Sequence, residues 1–186
     1  MKNFRIALCQ IVPGLEKDKN VVRALEMVSE AACGGAKLIT LPEMFYYPFE
    51  LGALKNICGG EEEILLEFRN LAAKHGVYIC TGSMAVKQEK GVFNRSYLID
   101  PNGSQVYFYD KRMLFDVDFR HLKASESSIF TPGKTPVFQK TELCSISTVI
   151  CYDIRFGRIV EEAVCGGAEL LLVPAVFNQV TGPAHW

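Results

Sequence analysis

Residues 30–45 read EAACGGAKLITLPEMF, and residues 162–177 read EAVCGGAELLLVPAVF. Nine of the sixteen positions are identical, all at an offset of 132. This duplication limits the possible folds more than any other feature, because both copies have one physical layout. A helix ends, Gly-Gly caps it, a short apolar strand follows, and a proline stops the strand. Ahead of the first copy, Val21, Val22, Leu25 and Val28 mark one apolar helical face, and residues 4–10 read as a strand. Ahead of the second, the apolar run 146–150 reads as a strand, and the stretch after Asp153 reads as a helix. Two β-α-β units are therefore expected, each with parallel strands covered by a helix.

Between them, Glu61, Glu62 and Glu63 open a helix whose apolar face is Ile64, Leu65, Phe68, Leu71 and Ala72. Lys74, His75 and Gly76 close it, so acids and bases both suit the helix dipole. Segments 77–81, 92–99 and 105–109 read as strands, the last two joined by a tight turn at Pro101-Asn102-Gly103. The stretch from 110 to about 127 shows no clean period and reads as a long loop, which in a compact domain is more often functional than idle.

Two sheets that each carry helices on one face bury themselves best by packing face to face. The pattern predicts an α/β fold, a four-layer α-β-β-α sandwich, in a single domain over 1–186, with the repeat relating the halves by a rough two-fold. One doubly wound sheet is the alternative. The last apolar strand is followed by a polar stretch, 178–186, ending on the only tryptophan. The second sheet is therefore expected to be incomplete, lacking a C-terminal part.

Composition excludes several classes of function. With 49% apolar residues and a formal charge of -1, the chain is neither a disordered polyelectrolyte nor a nucleic-acid or anionic-membrane binder. No apolar run approaches the roughly 18 residues of a membrane span, and Arg5 and Gln10 interrupt the first apolar stretch, so the pattern of a signal peptide is not expected there. The seven cysteines form an odd set without a Cys-x-x-Cys pair, which suits a reduced, cytoplasmic protein without disulfides. His75, His121 and His185 are scattered, with no carboxylate at metal-ligand spacing, so no metal or other cofactor is expected. The Gly-Gly pairs are not phosphate cradles, since no Gly-Lys-Ser/Thr follows them.

Three positions carry the chemistry. Cys151 lies where a strand hands over to a helix; N–H groups and the dipole there favour a thiolate, which attacks carbon and leaves donors for the oxyanion. Inert packing is the plain alternative for a buried cysteine. Glu43 follows the strand-ending Pro42 among Phe45, Tyr46 and Tyr47, where an apolar setting raises a carboxyl pKa toward proton transfer. Ala175 stands at the equivalent place in the second copy, so the frame itself does not demand a glutamate. Lys111, just past a strand, would lower a neighbouring thiol's pKa and hold an oxyanion; a solvated loop lysine is the alternative.

Leu41-Pro-Glu-Met-Phe, Asp110-Lys-Arg-Met-Leu-Phe-Asp-Val-Asp and Val149-Ile-Cys-Tyr-Asp-Ile-Arg-Phe, in that order, resemble the motifs of the nitrilase, or carbon–nitrogen hydrolase, superfamily. The resemblance runs from Phe4 to the last residue and includes Thr181-Gly-Pro-Ala-His-Trp. It is nearest to the amidase branch that includes omega-amidases, because Tyr-Asp follows Cys151. The resemblance implies hydrolysis of a small carboxamide through a cysteine thioester. Cys151 is then the nucleophile, Glu43 the proton carrier, and Lys111 with the Tyr152 N–H the oxyanion donors. A second glutamate, Glu126, orients the lysine. Met113, Ser147 and Gly157-Arg158 depart from the usual pattern, where His, Gly and Pro-Glu stand. The resemblance also implies a homodimer or higher homo-oligomer, and members of the superfamily that continue beyond position 186.

Tyr46, Arg155 and Phe177 are further candidates for contact with substrate. For Arg155 and Arg158, a grip on a substrate carboxylate and an ordinary surface role stand level. Asp153 is better read as a helix N-cap than as a third catalytic acid. An isochorismatase-like cysteine hydrolase is disfavoured, because no aspartate ends an early strand. A non-catalytic fragment or binding module of the same fold is the rival from another class. Omega-amides of keto acids, a deaminated peptide amide and N-carbamoyl compounds all remain open as substrates.

Overall fold

The computed structural model describes residues 3–49, 58–119 and 122–177. His121, His185 and the Thr181–Trp186 motif lie outside the described residues. The first unit runs β1 (Ile6–Leu8), α1 (Lys17–Cys33) and β2 (Leu38–Thr40). Next come α2 (Glu61–His75), β3 (Tyr78–Cys80), β4 (Met84–Gln88), β5 (Gly91–Ile99) and β6 (Gln105–Asp110). A hairpin of β7 (Asp116–Phe119) and β8 (Leu122–Ser125) leads to a 3-10 turn, Glu126–Ser128. The second unit comes last, as β9 (Phe138–Lys140), β10 (Ser145–Thr148), a 3-10 turn Cys151–Arg155, α3 (Gly157–Cys165) and β11 (Leu170–Leu172).

Six strands form the first sheet. β1, β2 and β3 are parallel, with Ile6 opposite Leu38 and Leu38 opposite Tyr78. The long β5 runs antiparallel to β3 and β4 along one side and to β6 along the other. In the second sheet β10 pairs β11 in parallel and β9 antiparallel. Because side chains alternate across a strand, each central strand serves two layers. Ile39, Ile79 and Ile99 face Ala24 and Val28 of α1 and Ile64, Phe68 and Ala72 of α2. Leu38, Tyr78, Cys80 and Leu98 point the other way, into a second core with Cys144, Ile146 and Leu172. The Tyr107 hydroxyl meets Thr148 Oγ1 at 2.8 Å between the sheets. Burying a side chain such as Phe68 is worth about 1.5–3 kcal/mol, so these two cores hold the layers in place. α3 completes the four layers, burying Ile159 and Ala163. The layered α/β architecture is present, and the single doubly wound sheet is not.

Three expectations change. The stretch 110–127 is no featureless loop, because it contains the β7–β8 hairpin. β4 and β9, which sequence periodicity does not reveal, are additional strands. And α3 starts at Gly157, so a 3-10 turn and not an α-helix N-terminus follows Cys151. No disulfide joins any two of the seven cysteines. Among the described residues no helix is long and apolar enough to cross a membrane, and no cluster of potential metal ligands occurs.

Candidate active site

The Glu43 turn is held by its neighbours on β3–β4. Leu41 N–H still reaches the Cys80 carbonyl at 3.1 Å, and then Pro42, with no donor, ends the ladder. Met44 takes φ 49, in the left-handed region, and its N–H donates to Ser83 Oγ at 3.1 Å. Ser83 N–H donates to the Pro42 carbonyl at 3.3 Å. Gly82, at φ 69, sits where any Cβ would overlap that same carbonyl oxygen. So clamped, Glu43 points inward and is 3% exposed.

Lys111 is the first residue past β6 and is tied at both backbone ends: its N–H to the Asn94 carbonyl at 2.9 Å, its carbonyl to Gly133 N–H at 2.8 Å. Its buried Nζ lies 2.9 Å from Glu43 Oε1 and 2.8 Å from Glu126 Oε2. Glu126 begins the turn at the hairpin's exit, and its Oε2 accepts the Phe115 N–H from the hairpin's entry at 2.7 Å. Burial pulls the Lys111 ammonium down, yet Glu43, Glu126 and Cys151 outweigh it and hold its pKa well above the ordinary value. Burial raises Glu126, with Lys111 opposing and Glu43 adding to the rise. A fully desolvated ion pair gains little net stability, so this cluster is better explained by chemistry than by folding.

Cys151 stands two residues beyond the last ladder bond of β10. Val149 N–H reaches Leu172 O at 3.0 Å, and Cys151 N–H reaches Pro174 O at 2.9 Å. At φ 47 the cysteine occupies the left-handed region that L-residues seldom adopt, which is how its side chain leaves the strand direction. Burial first, then the Glu43 charge, push the thiol pKa up, while Lys111 pulls the other way. The expected thiolate is thus replaced by a neutral thiol, whose Sγ donates to the Val176 carbonyl at 3.8 Å while the Glu43 charge acts on it. The helix dipole thought to support a thiolate is absent, and Lys111 is outweighed. Glu43's surroundings also differ from expectation: its partners are Lys111, Asn94 and the Val176 N–H, not the aromatics next in sequence.

Asp153 is buried and accepts from Ile150 N–H (2.9 Å), Met113 N–H (2.7 Å), Arg112 N–H (3.2 Å) and the Tyr109 hydroxyl (2.8 Å). It therefore caps the 3-10 turn, rather than α3, and staples the cysteine and lysine segments together. Tyr152 is wedged edge-on between Phe115 and Phe156, at 5.0 and 5.2 Å. Arg155 lies 5.6 Å from the Tyr152 ring, and its Nε is buried without a hydrogen-bond partner among the described residues. Arg158 is 89% exposed and pairs with Glu162 on its own helix, an ordinary surface role. A cavity of about 240 Å³ opens beside Glu43. Gln10, Tyr47, Phe49 and Phe177 are among the residues lining it. Phe177 also packs against the cluster containing Cys151. Tyr46 does not line this cavity: its hydroxyl takes the Ala85 N–H at 3.0 Å, so it is a core residue.

Sequence reasoning missed Asn94. Its side-chain amide donates to Glu43 Oε1 at 2.9 Å and Glu126 Oε1 at 3.2 Å from the middle of β5. The available signal was a polar residue within a strand otherwise bound for burial, where polar groups require partners.

A sequence comparison matches the carbon-nitrogen hydrolase family over residues 5–186. Among curated proteins, the omega-amidase NIT2 of Danio rerio is 35% identical over 191 residues, covering 100% of this chain and 68% of that protein. Omega-amidase NIT2 of Homo sapiens is 34% identical over 193 residues, with the same coverage. Among solved structures, Nit3 of Saccharomyces cerevisiae, a member of branch 10 of the nitrilase superfamily, superposes with a TM-score of 0.86 at 26% identity. That match covers 98% of this chain and 68% of Nit3. The C. elegans NitFhit protein gives a TM-score of 0.89 at 27% identity, over 98% of this chain and 46% of that one.

Proposed function

Because the chain belongs to the carbon–nitrogen hydrolase family, we propose that it hydrolyses a small carboxamide to a carboxylic acid and ammonia through a thioester on Cys151. The observation that carries this reading is the buried Glu43–Lys111 ion pair, 2.9 Å apart, whose charges both act on the Cys151 thiol. A neutral thiol needs its proton removed as it attacks, and Glu43 is the carboxylate whose charge acts on it. The sulfur bonds to the amide carbon, the carbonyl electrons move to oxygen, and the Lys111 ammonium with the Tyr152 N–H stabilises that oxyanion. Glu43 then passes its proton to the amide nitrogen, the C–N bond breaks, and ammonia leaves. In the second half Glu43 takes a proton from water as the water attacks the thioester, then returns it to sulfur as the acid departs. Glu126 keeps Lys111 charged and aimed throughout.

The unpartnered Nε of Arg155 supports an amide that also bears a carboxylate, as the omega-amidase relatives would suggest. Action as a cytoplasmic homo-oligomer belongs to the same proposal. The test is ammonia release from small omega-amides such as succinamate, with intact mass to detect the acyl-enzyme. Cys151→Ala is expected to lose activity by at least about 10³-fold and to show no acyl adduct. Unchanged ammonia release by that variant would overturn the proposal, and no release by the parent protein would favour a binding role.

A further inference from the structure

Four hydrogen bonds close a circuit inside the site. Asn94 Nδ2 donates to Glu43 Oε1 at 2.9 Å and to Glu126 Oε1 at 3.2 Å. Lys111 Nζ donates to the same two oxygens at 2.9 and 3.2 Å. We propose that Asn94 is a positioning residue that commits Glu43 Oε1 to the circuit and leaves Oε2 as the oxygen that exchanges a proton with Cys151. The inference rests on Glu43 being the base of the proposed reaction.

Lone pairs divide the labour between the two oxygens. A carboxylate oxygen accepts about two hydrogen bonds, and Oε1 already has two donors. Among the described residues Oε2 accepts the Val176 N–H alone, at 3.1 Å, so it keeps room for a thiol proton. The amide's own orientation points the same way. Asn94 is 1% exposed, and its Oδ1 is buried with no partner among the described residues. An asparagine kept for packing alone would turn its carbonyl toward a donor, because an orphaned acceptor is costly. Here the reverse orientation would set that carbonyl oxygen against two carboxylate oxygens. The carboxylates thus dictate which way the amide faces, and the unsatisfied Oδ1 results from it.

The circuit also governs protonation. Facing the carboxylate pair are the Lys111 ammonium, the Cys151 thiol, the Asn94 amide and the backbone N–H groups of Val176 and Phe115. Asp153 acts on the pair only through Lys111, with which it interacts electrostatically, and the Phe49 ring lies 5.7 Å from Nζ. Two carboxylates sharing one ammonium tend to retain a proton between them, which would disable the base. Asn94 supplies two non-titrating donors to the pair and opposes that tendency.

Two variants test this. Asn94→Asp keeps the shape and replaces the donor by an acceptor; Asn94→Leu keeps the bulk and removes the donor. Both are expected to move the acid limb of the kcat/KM profile to higher pH by at least about one unit, a tenfold change in proton affinity, with Asn94→Asp moving it further. The carboxyl titration of Glu126, followed by ¹³C NMR in a Cys151→Ala background, should move in the same direction without requiring turnover. A purely structural role would lower the amplitude and leave both titrations in place, and that result would overturn the proposal. If Asn94→Leu does not fold, the isosteric Asn94→Asp decides alone. A shifted NMR titration in a protein without amidase activity would uphold the positioning role while rejecting the proposed reaction.

Discussion

In the first β-α-β unit eight residues (9–16) join β1 to α1, and in the second eight residues (149–156) join β10 to α3. Four residues then lead from helix to strand in each, 34–37 and 166–169. The pairing agrees as well: Ile6 lies opposite Leu38 and Ile146 opposite Leu170, and 38 and 170 differ by the repeat offset of 132. The units diverge in what their strand ends carry. The first has a 17-residue helix and sets its reactive residue, Glu43, after its second strand. The second has a nine-residue helix and sets Cys151 after its first strand, on a 3-10 turn. Ala175 stands in place of Glu43, yet the next residue's N–H, that of Val176, binds Glu43 itself. Duplication therefore supplied two frames whose strand C-terminal ends meet, and divergence gave each end half of the chemistry. Open α/β sheets commonly bind ligands at such ends.

Lys111 ties Glu43 of the first unit to the Cys151 segment of the second, so removing it is the harshest way to break the comparison. Lys111→Met leaves Glu43 and Glu126 buried and unpaired, and urea unfolding should show a loss of about 3–5 kcal/mol. A loss below about 1 kcal/mol would mean that packing and the Val176–Glu43 hydrogen bond join the two ends without the ion pair.

Paired glycine substitutions sharpen the contrast between the units. Gly82→Ala, in the clamp on the first unit's Pro42–Glu43 turn, places a Cβ on backbone at φ 69 and should cost about 1–3 kcal/mol and displace Glu43. Gly166→Ala, after the second unit's helix, meets only the half-exposed Phe138 ring, at φ -70, and should cost about 0.5 kcal/mol or less in thermal unfolding. Equal costs would show that the first turn is no more tightly determined than the second.

The least disruptive change is read through pH. The folded Cys151 pKa lies above the ordinary thiol value of 9.0, so between pH 9 and that raised value the unfolded thiol loses its proton while the folded one keeps it. Stability from this group is present below pH 9 and is lost as pH rises, by about 1.4 kcal/mol per pH unit. Cys151→Ala should show a decline in urea stability above pH 9 that is shallower by about that slope. Parallel declines would mean that the fold does not raise the thiol pKa.

Local order was largely legible. The α2 helix runs from the acids to His75 as its apolar face and charged ends require, and the strands of 77–81, 92–99 and 105–109 lie where expected. Strands without a burial signature are not legible in this way. β4 ends in exposed Lys87 and Gln88, and β9 is exposed at all three residues. The β7–β8 hairpin carries Asp116, Asp118 and Lys123 outward, so its charges disguise a two-residue period too short to count. In the site, motif residues Glu43, Lys111, Glu126 and Cys151 are identifiable, whereas Asn94 belongs to no motif and Tyr46 turns into the core instead of the pocket. An aromatic beside a reactive residue in sequence reveals nothing about which way its ring turns.

The amino-acid order alone determined the frame of this protein. Apolar periodicity, the Gly-Gly caps and the strand-ending prolines are local, and local steric and hydrogen-bonding rules are enough to read two β-α-β units from them. The tertiary structure alone decided the electrostatics. Glu43 and Lys111 are 68 residues apart in the chain and 2.9 Å apart in space, and Asn94, 51 residues from Glu43, joins them. Burial and that proximity turned an expected thiolate into a thiol and an overlooked asparagine into a link between carboxylates. Charge interactions depend on distance and dielectric, and neither exists until the layers have packed.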